Sequence, residues 1–313
     1  MFLHNMRIRM FVDRKGDNMI LYIRALGFTE FDTKDKAEVM VAETIKDPTE
    51  KFIWESESGI LNVEYYKTYG DDFGLMVRGS IEENEALNVH ALLPYAQGRF
   101  LTNTHEVDVI KLNRQDVYHG FCEEIKSGTP ISFFVQNLVE YKMAEKHEHI
   151  YVNGIRLIVY CAEGTIILPI EKDDTDLLLE KEEEMIREEL LEQARKGDEE
   201  AMTILDEEAT EATEILQERL QNEDILTVLE GFFVPVGDHD DIYSLLGDIE
   251  DIGVFHNSVT NEEIFRLKIR CMSISLDVFI NSKDMIGYPT LGMRFKGSGW
   301  VHGKIEFDFD KKL

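Results

Sequence analysis

The sequence predicts an α+β protein with three parts: an N-terminal α+β domain, an acidic helical bridge and a C-terminal small β-barrel of OB-like type. Three observations carry this expectation. Apolar and polar residues alternate over 60–112 and again after residue 242, the period of half-buried strands. Between these regions, residues 171–224 place apolar side chains at helical spacing. The same stretch holds 22 Asp and Glu against 6 Lys and Arg, a balance of −16 within a whole-chain charge of −29.

The elements follow in order. Met1 to Asn18 fit no element, and Met19 opens the apolar run Ile20-Leu21-Tyr22-Ile23, so 1–18 is expected to be a loose extension and the first domain to span 19–170. Leu61, Val63 and Tyr65 alternate with polar neighbours, as do Leu87, Val89, Ala91 and Leu93, with turn signals at Gly70-Asp71-Asp72 and Glu83-Asn84. Thr129 and Pro130 read as the N-cap and first position of a helix carrying Phe134, Leu138 and Tyr141 on one face. Two strands, Tyr151 to Cys161 and Thr165 to Ile170, are expected around a turn at Glu163-Gly164.

The bridge, 171–230, predicts a helix from Thr175 to Lys196, stopped by Gly197 after the cations Arg195 and Lys196. Asp198 then caps a second helix ending near Asn222, and Asn222 a short third one that Gly231 terminates. The barrel, 231–313, is expected to hold five strands: Leu245 to Val254, Phe265 to Cys271, Ile274 to Ile280, one at Met293-Phe295 and one at Ile305 to Phe309. A hairpin turn near Thr260-Asn261 and a crossover at Ser282 to Pro289 complete the OB-like pattern.

With 43% hydrophobic residues the chain is too apolar for a disordered polymer, and no window supplies the ~18 uninterrupted apolar residues of a membrane span. Cys122, Cys161 and Cys271 are odd in number and far apart, which excludes a disulfide scaffold and a paired-cysteine metal knuckle. A cytoplasmic protein without cofactor is the expectation.

Five short blocks carry a family likeness: Arg24-Ala25-Leu26-Gly27-Phe28, Gly164 to Ile170 (GTIILPI), Gly197 to Ala201 (GDEEA), Phe233 to Gly237 (FVPVG) and Gly292 to Gly303 (GMRFKGSGWVHG). Together they resemble an uncharacterised bacterial family of chains of about this length, known only as a domain of unknown function. The resemblance covers nearly all of the chain after Met19 and implies no catalytic residue.

Several constellations invite chemistry. His119 and Cys122, three apart, could form an imidazole–thiolate pair, but Glu123 and Glu124 would raise the thiol pKa. His147 and His149 have the alternation of two metal ligands on one strand face, without a visible third. Asp238-His239-Asp240-Asp241 lacks the glycine and terminal Glu of a calcium loop. Gly287, Gly292, Gly297 and Gly299 lack the Lys and Ser or Thr of a phosphate loop and read instead as barrel bends. No catalytic or metal site is therefore expected.

One arrangement stands out. Arg266, Lys268, Arg270, Arg294 and Lys296 alternate with core residues, so they project from the outer faces of their strands as candidate binding residues. They suit a phosphate-bearing partner, or else they pair with Asp248, Glu250 and Asp277 across the sheet, which is the favoured reading. The expected function is a cytoplasmic non-catalytic binding or adaptor protein, with a protein partner or a second copy of itself and no membrane. Polyanion or nucleic-acid binding through the barrel's basic face is the first alternative, opposed by the charge of −29. An enzyme of unrecognised type is the second.

Overall fold

A computed structural model describes every residue except 1–6, 9–18, 32, 57, 82–85, 105, 113–116, 148–149, 171–172, 220–223, 238–240 and 310–313. The protein is mixed α+β. Its strands in chain order are β1 (Arg7–Ile8), β2 (Glu50–Glu55), β3 (Leu61–Thr68), β4 (Phe73–Ile81), β5 (Leu87–Ala96), β6 (Leu101–Thr102), β7 (Asp108–Leu112) and β8 (Val117–Glu123). Then come β9 (Pro130–Val135), β10 (Ile150–Ile167), β11 (Phe232–Pro235), β12 (Ile242–His256), β13 (Glu263–Cys271), β14 (Ile274–Asn281), β15 (Met285–Ile286) and β16 (Arg294–Phe309). The helices are α1 (Lys34–Lys46), α2 (Leu138–His147), α3 (Asp174–Arg195), α4 (Glu199–Arg219) and α5 (Ile225–Val228), with a 3-10 helix at Met19–Leu26. No described helix is long and apolar enough to cross a membrane.

Two sheets form. The smaller has the order β1-β5-β4-β3-β2, and Arg7 and Ile8 join it by pairing in parallel with Asn88 and Val89; the rest of 1–18 lies outside the described residues. The larger runs from β11 to β7, and within it the pairings pass β12, β13, β14, β10 and β16 and return to β12. Alternate residues of these five strands make one core. Leu245, Leu267, Leu276, Leu157 and Val301 are each no more than 1% exposed in it, and burying such a side chain contributes ~1.5–3 kcal/mol.

Three readings of the sequence need correction here. Residues 130–135 are strand, not the first turns of a helix: the run Ile131-Ser-Phe-Phe-Val135 favours a pleated surface, and Pro130 sits at the first strand position, where its missing N–H is tolerated. The helix starts at Leu138. Glu163-Gly164 is no hairpin turn, because β10 continues through it with a bulge between Cys161 and Glu163. Likewise Met293-Phe295 and Ile305 to Phe309 do not belong to two strands: β16 runs unbroken across Gly297, Gly299 and Gly303. A Cβ on Gly297 would lie 2.7 Å from the Phe295 ring, so that glycine makes room for the ring rather than a bend. The fifth strand of the ring is therefore β10, contributed from upstream of the bridge.

The smaller sheet packs across the outer face of the ring. Val63, Leu75, Val77 and Val89 meet Ile158, Tyr160, Ile264 and Phe279, with the 3-10 helix and α1 closing the layer. The charged side chains Arg266, Asp277, Arg78 and Glu64 caught in this seam are paired. Arg266, 2% exposed, donates to Asp277 and also reaches Asp72 in the turn between β3 and β4, while Arg99 donates to Asp277 and Asp251. Breaking a buried pair leaves an uncompensated charge. Asp277→Ala is therefore expected to cost ~3–5 kcal/mol by urea unfolding, whereas a cost near the ~0.2–1 kcal/mol of an exposed pair would show that water reaches Arg266.

Candidate functional site

The five basic residues do not converge on an open face. Arg266 and Arg294 are 2% and 4% exposed, so the outward projection read from alternation ends under other elements rather than in solvent. Lys268 pairs with Glu250 at 2.7 Å, and Arg270 meets both Glu250 at 2.8 Å and Asp248 at 3.1 Å. Lys268 also lies 4.6 Å from the centre of the Phe100 ring. Lys296 is exposed on β16.

Arg294 has a different task. Its guanidinium donates to the carbonyls of Leu168 at 2.9 Å, Leu229 at 3.0 Å and Leu226 at 2.8 Å. Leu168 lies six residues before α3, while Leu226 is in α5 and Leu229 directly follows it. One side chain thus clasps both roots of the helical bridge to the start of β16. Five fixed donors in a planar fork suit Arg for holding three backbone oxygens, and Lys could not span them.

His119 and Cys122 lie on β8, where an odd separation puts them on opposite faces. Cys122 packs against the ring's core, and burial pushes its thiol pKa up to about 12, with Glu124 and Glu123 adding to the rise. A thiolate paired with His119 is excluded by this geometry. His119 instead turns to the seam, with Nε2 3.3 Å from an Asp241 oxygen that also accepts from Trp300 Nε1 at 2.7 Å. His149 and 238–240 fall outside the described residues, as does the side chain of His147. Among the described residues no group of three His, Cys, Asp or Glu side chains is placed to hold a metal ion.

The buried polar cluster around Phe134 was not legible in the sequence. Phe134 pairs across the sheet with both His119 and His302, and Arg78 stacks on its ring at 4.9 Å. Glu64, fully buried, receives Arg78 Nε at 2.7 Å, Tyr66 Oη at 2.9 Å and the Val139 N–H at 3.3 Å. Burial raises the Glu64 pKa, opposed by Arg78. Arg78 also donates to the carbonyls of Val135 and Gln136, which ties the smaller sheet to the corner between β9 and α2. A lone charge inside the apolar run Leu75-Met76-Val77-Arg78 is the one sequence signal that could have marked it. Every member is buried, so the cluster braces the seam and presents no surface to a substrate.

One run of exposed apolar side chains lies on the bridge. α3 ends in a left-handed Gly197, and Asp198 Oδ1 accepts from the N–H groups of Glu200 and Ala201 to start α4. The resulting hairpin meets the body near the C-terminal half of α3: Arg195 pairs with Glu123 at 2.7 Å, Lys126 with Glu188 at 3.5 Å, and Leu191 packs over Gly128. Towards the other end of α3 the apolar side chains are uncovered, with Leu178 58%, Leu179 51%, Met185 71% and Ile186 57% exposed.

The block at 24–28 packs against the body. Gly27, at φ +84°, approaches Asn257 so closely that a Cβ would lie 2.8 Å from that side chain. Asn257 donates to the Leu26 carbonyl and Thr260 to that of Gly27, while Arg24 pairs with Asp284, which docks the block at 24–28 on the ring. Comparison with known proteins agrees with the likeness these blocks carry. Residues 23–303 match the family model described as "Domain of unknown function, E. rectale Gene description (DUF3881)". No curated protein and no solved structure matches the chain.

His302 supplies a pH test of the seam. It is wholly buried, and burial first, then Arg78 and His119, hold its pKa well below the usual 6.5. The unfolded chain binds this proton before the native one does, so the stability tied to neutral His302 is complete above the unfolded pKa and is lost as pH falls below it. The urea midpoint should therefore drop between about pH 7.5 and pH 5.5, by no more than ~1.4 kcal/mol for this group at the lower value. Glu64 acts with the opposite sign nearer its own pKa range. His302→Phe isolates the histidine, and its pH dependence is expected to be flatter than wild type.

Proposed function

We propose that the chain, which belongs to the DUF3881 family, is a cytoplasmic, non-catalytic binding or adaptor protein that docks its partner on the α3–α4 arm. The observation carrying this reading is the uncovered apolar stripe of α3, four side chains more than half exposed on an element whose roots Arg294 clasps. Contiguous apolar side chains in solvent mark interaction sites; other large apolar residues are exposed elsewhere, such as Ile286 and Tyr288, but those of α3 repeat along one helix.

The ring of β12, β13, β14, β10 and β16 is read as an OB-type barrel whose last strand is supplied from earlier in the chain. On that reading β13 and β14 are the second and third strands, the face on which OB proteins receive oligonucleotides. Ile264, Arg266, Asp277 and Phe279 on that face are each no more than 2% exposed beneath the smaller sheet. A phosphate chain finds no open cationic groove there, which disfavours the polyanion alternative.

Capture of the tagged full-length chain from its own cells tests the reading. A nuclease-resistant protein partner is expected with the wild type and not with Leu178→Asn/Met185→Asn, whose exposed positions leave stability within about 0.5 kcal/mol per site. Recovery of nucleic acid, or of the same proteins with both forms, would overturn it.

A further inference from the structure

We infer that the occupant of the arm is a basic amphipathic α-helix of another protein, laid along α3. This rests on the binding reading above and names the partner's chemistry. The first argument is spacing. Leu178 and Met185, Leu179 and Ile186, and Glu182 and Glu189 are each seven residues apart, so apolar and acidic positions repeat together along one exposed side of α3. Seven residues rise about 10.5 Å, the distance between equivalent side chains two turns apart on any helix lying alongside. An extended strand repeats its facing side chains every ~6.8 Å and falls out of step within one repeat.

The second argument is orientation. Glu188, Leu191 and Arg195 face the body through Lys126, Gly128 and Glu123. Arg187 faces α4, where it pairs with Glu208 at 3.9 Å. Met185 lies two residues back from Arg187, ~200° around the helix at ~100° per residue, so it and Leu178 point away from α4. Leu179 and Ile186, ~80–100° from Arg187, lie on the flank between that outward side and α4, and all four side chains are more than half exposed.

The third argument is charge. Residues 171–224 carry −16, and the acids of α3 border the stripe. A second copy of the chain would bring two such arms together at distances within the ~8 Å screening length of physiological salt, where like charges repel. Anionic lipid and nucleic acid are repelled in the same way. Lys and Arg flanking the apolar face of a partner helix would instead meet Glu182 and Glu189, as in helices that lie in acidic, methionine-bearing grooves.

The probe is a synthetic peptide of Leu and Lys patterned as an amphipathic helix, set against a scrambled peptide of the same composition and a Leu/Glu counterpart. Titrated into the full-length chain, the patterned Lys peptide should bind at least ~10-fold more tightly than either control, a difference of ~1.4 kcal/mol. Leu178→Asn/Met185→Asn, which changes no charge, should weaken it at least ~10-fold, and raising salt should weaken it further. Equal binding of patterned and scrambled peptides, or equal binding by wild type and variant, would overturn the inference and leave only general attraction to an acidic surface. A dimer of the chain lost in the variant would overturn it as well, by making the second copy the occupant. Should the peptide fail while native capture still loses a partner in the variant, the binding reading stands and the basic helix is wrong.

Discussion

Burial of the ring's outer face beneath the five-stranded sheet is the constraint on which the rest of the structure depends. A sheet face that alternates inward apolar with outward charged residues is comfortable in water and costly under another layer, because an isolated ion loses its solvation there. The seam resolves this by pairing. Arg266 is held between Asp277 of the neighbouring strand and Asp72 of the covering sheet, and Glu64 of the covering sheet is held by Arg78, Tyr66 and a backbone N–H of the β9–α2 corner. The contacts of Arg266 with Asp72 and of Glu64 with the Val139 N–H join residues 194 and 75 apart in sequence, so the charges that make burial expensive also help to fix how the two sheets register. Further along β13, beyond the edge of the cover, the same alternation leaves Lys268 and Arg270 half-exposed with Glu250 and Asp248, where such pairs contribute ~0.2–1 kcal/mol.

That division explains what could be read from the sequence. Alternation revealed β3, β5, β12, β13 and β14, since period two depends only on one face being buried. The hairpin of α3 and α4 was legible for a similar reason, with Gly197 and Asp198 acting through local backbone geometry. Long strands were misread where a glycine interrupted the pattern. Gly164 suggested a turn and Gly297 a bend, yet both lie against the Phe295 ring and yield space to it within continuous strands. Thr129-Pro130 gave a helix signal that the following β-branched and aromatic run outweighed. Nothing local could reveal that β10 would close the ring, or that Arg294 would turn to carbonyls 65, 68 and 126 residues away.

The family blocks fit the same account. Residues 25–28 are buried against the turn that joins β12 and β13, the tract at 292–303 leads into the strand shared by both sides of the ring, and the block at 197–201 forms the hairpin turn whose Ala201 is 2% exposed. A motif made of glycines, small residues and apolar side chains at close approaches records packing, and chemistry need not follow from it.

The distal half of the arm stands outside this packing, as do side chains such as Ile286 and Leu291, and its composition argues that the exposure is tolerated for a purpose. Helix formation asks only that α3 be rich in Glu, Leu and Lys, and Asn or Ser at 178 and 185 would meet that demand with ~0.5 kcal/mol or so of lost propensity each. Leucine and methionine there leave apolar area in water, which destabilises nothing in the folded chain yet invites association. The surrounding acids counter self-association, since two copies of the stripe cannot meet without bringing two strongly negative arms together. A surface that attracts apolar faces and repels its own kind is selective by charge. Its complement is a helix with the opposite sign around an apolar stripe, and the clasp at Arg294 gives such a contact a fixed base from which to act on the body.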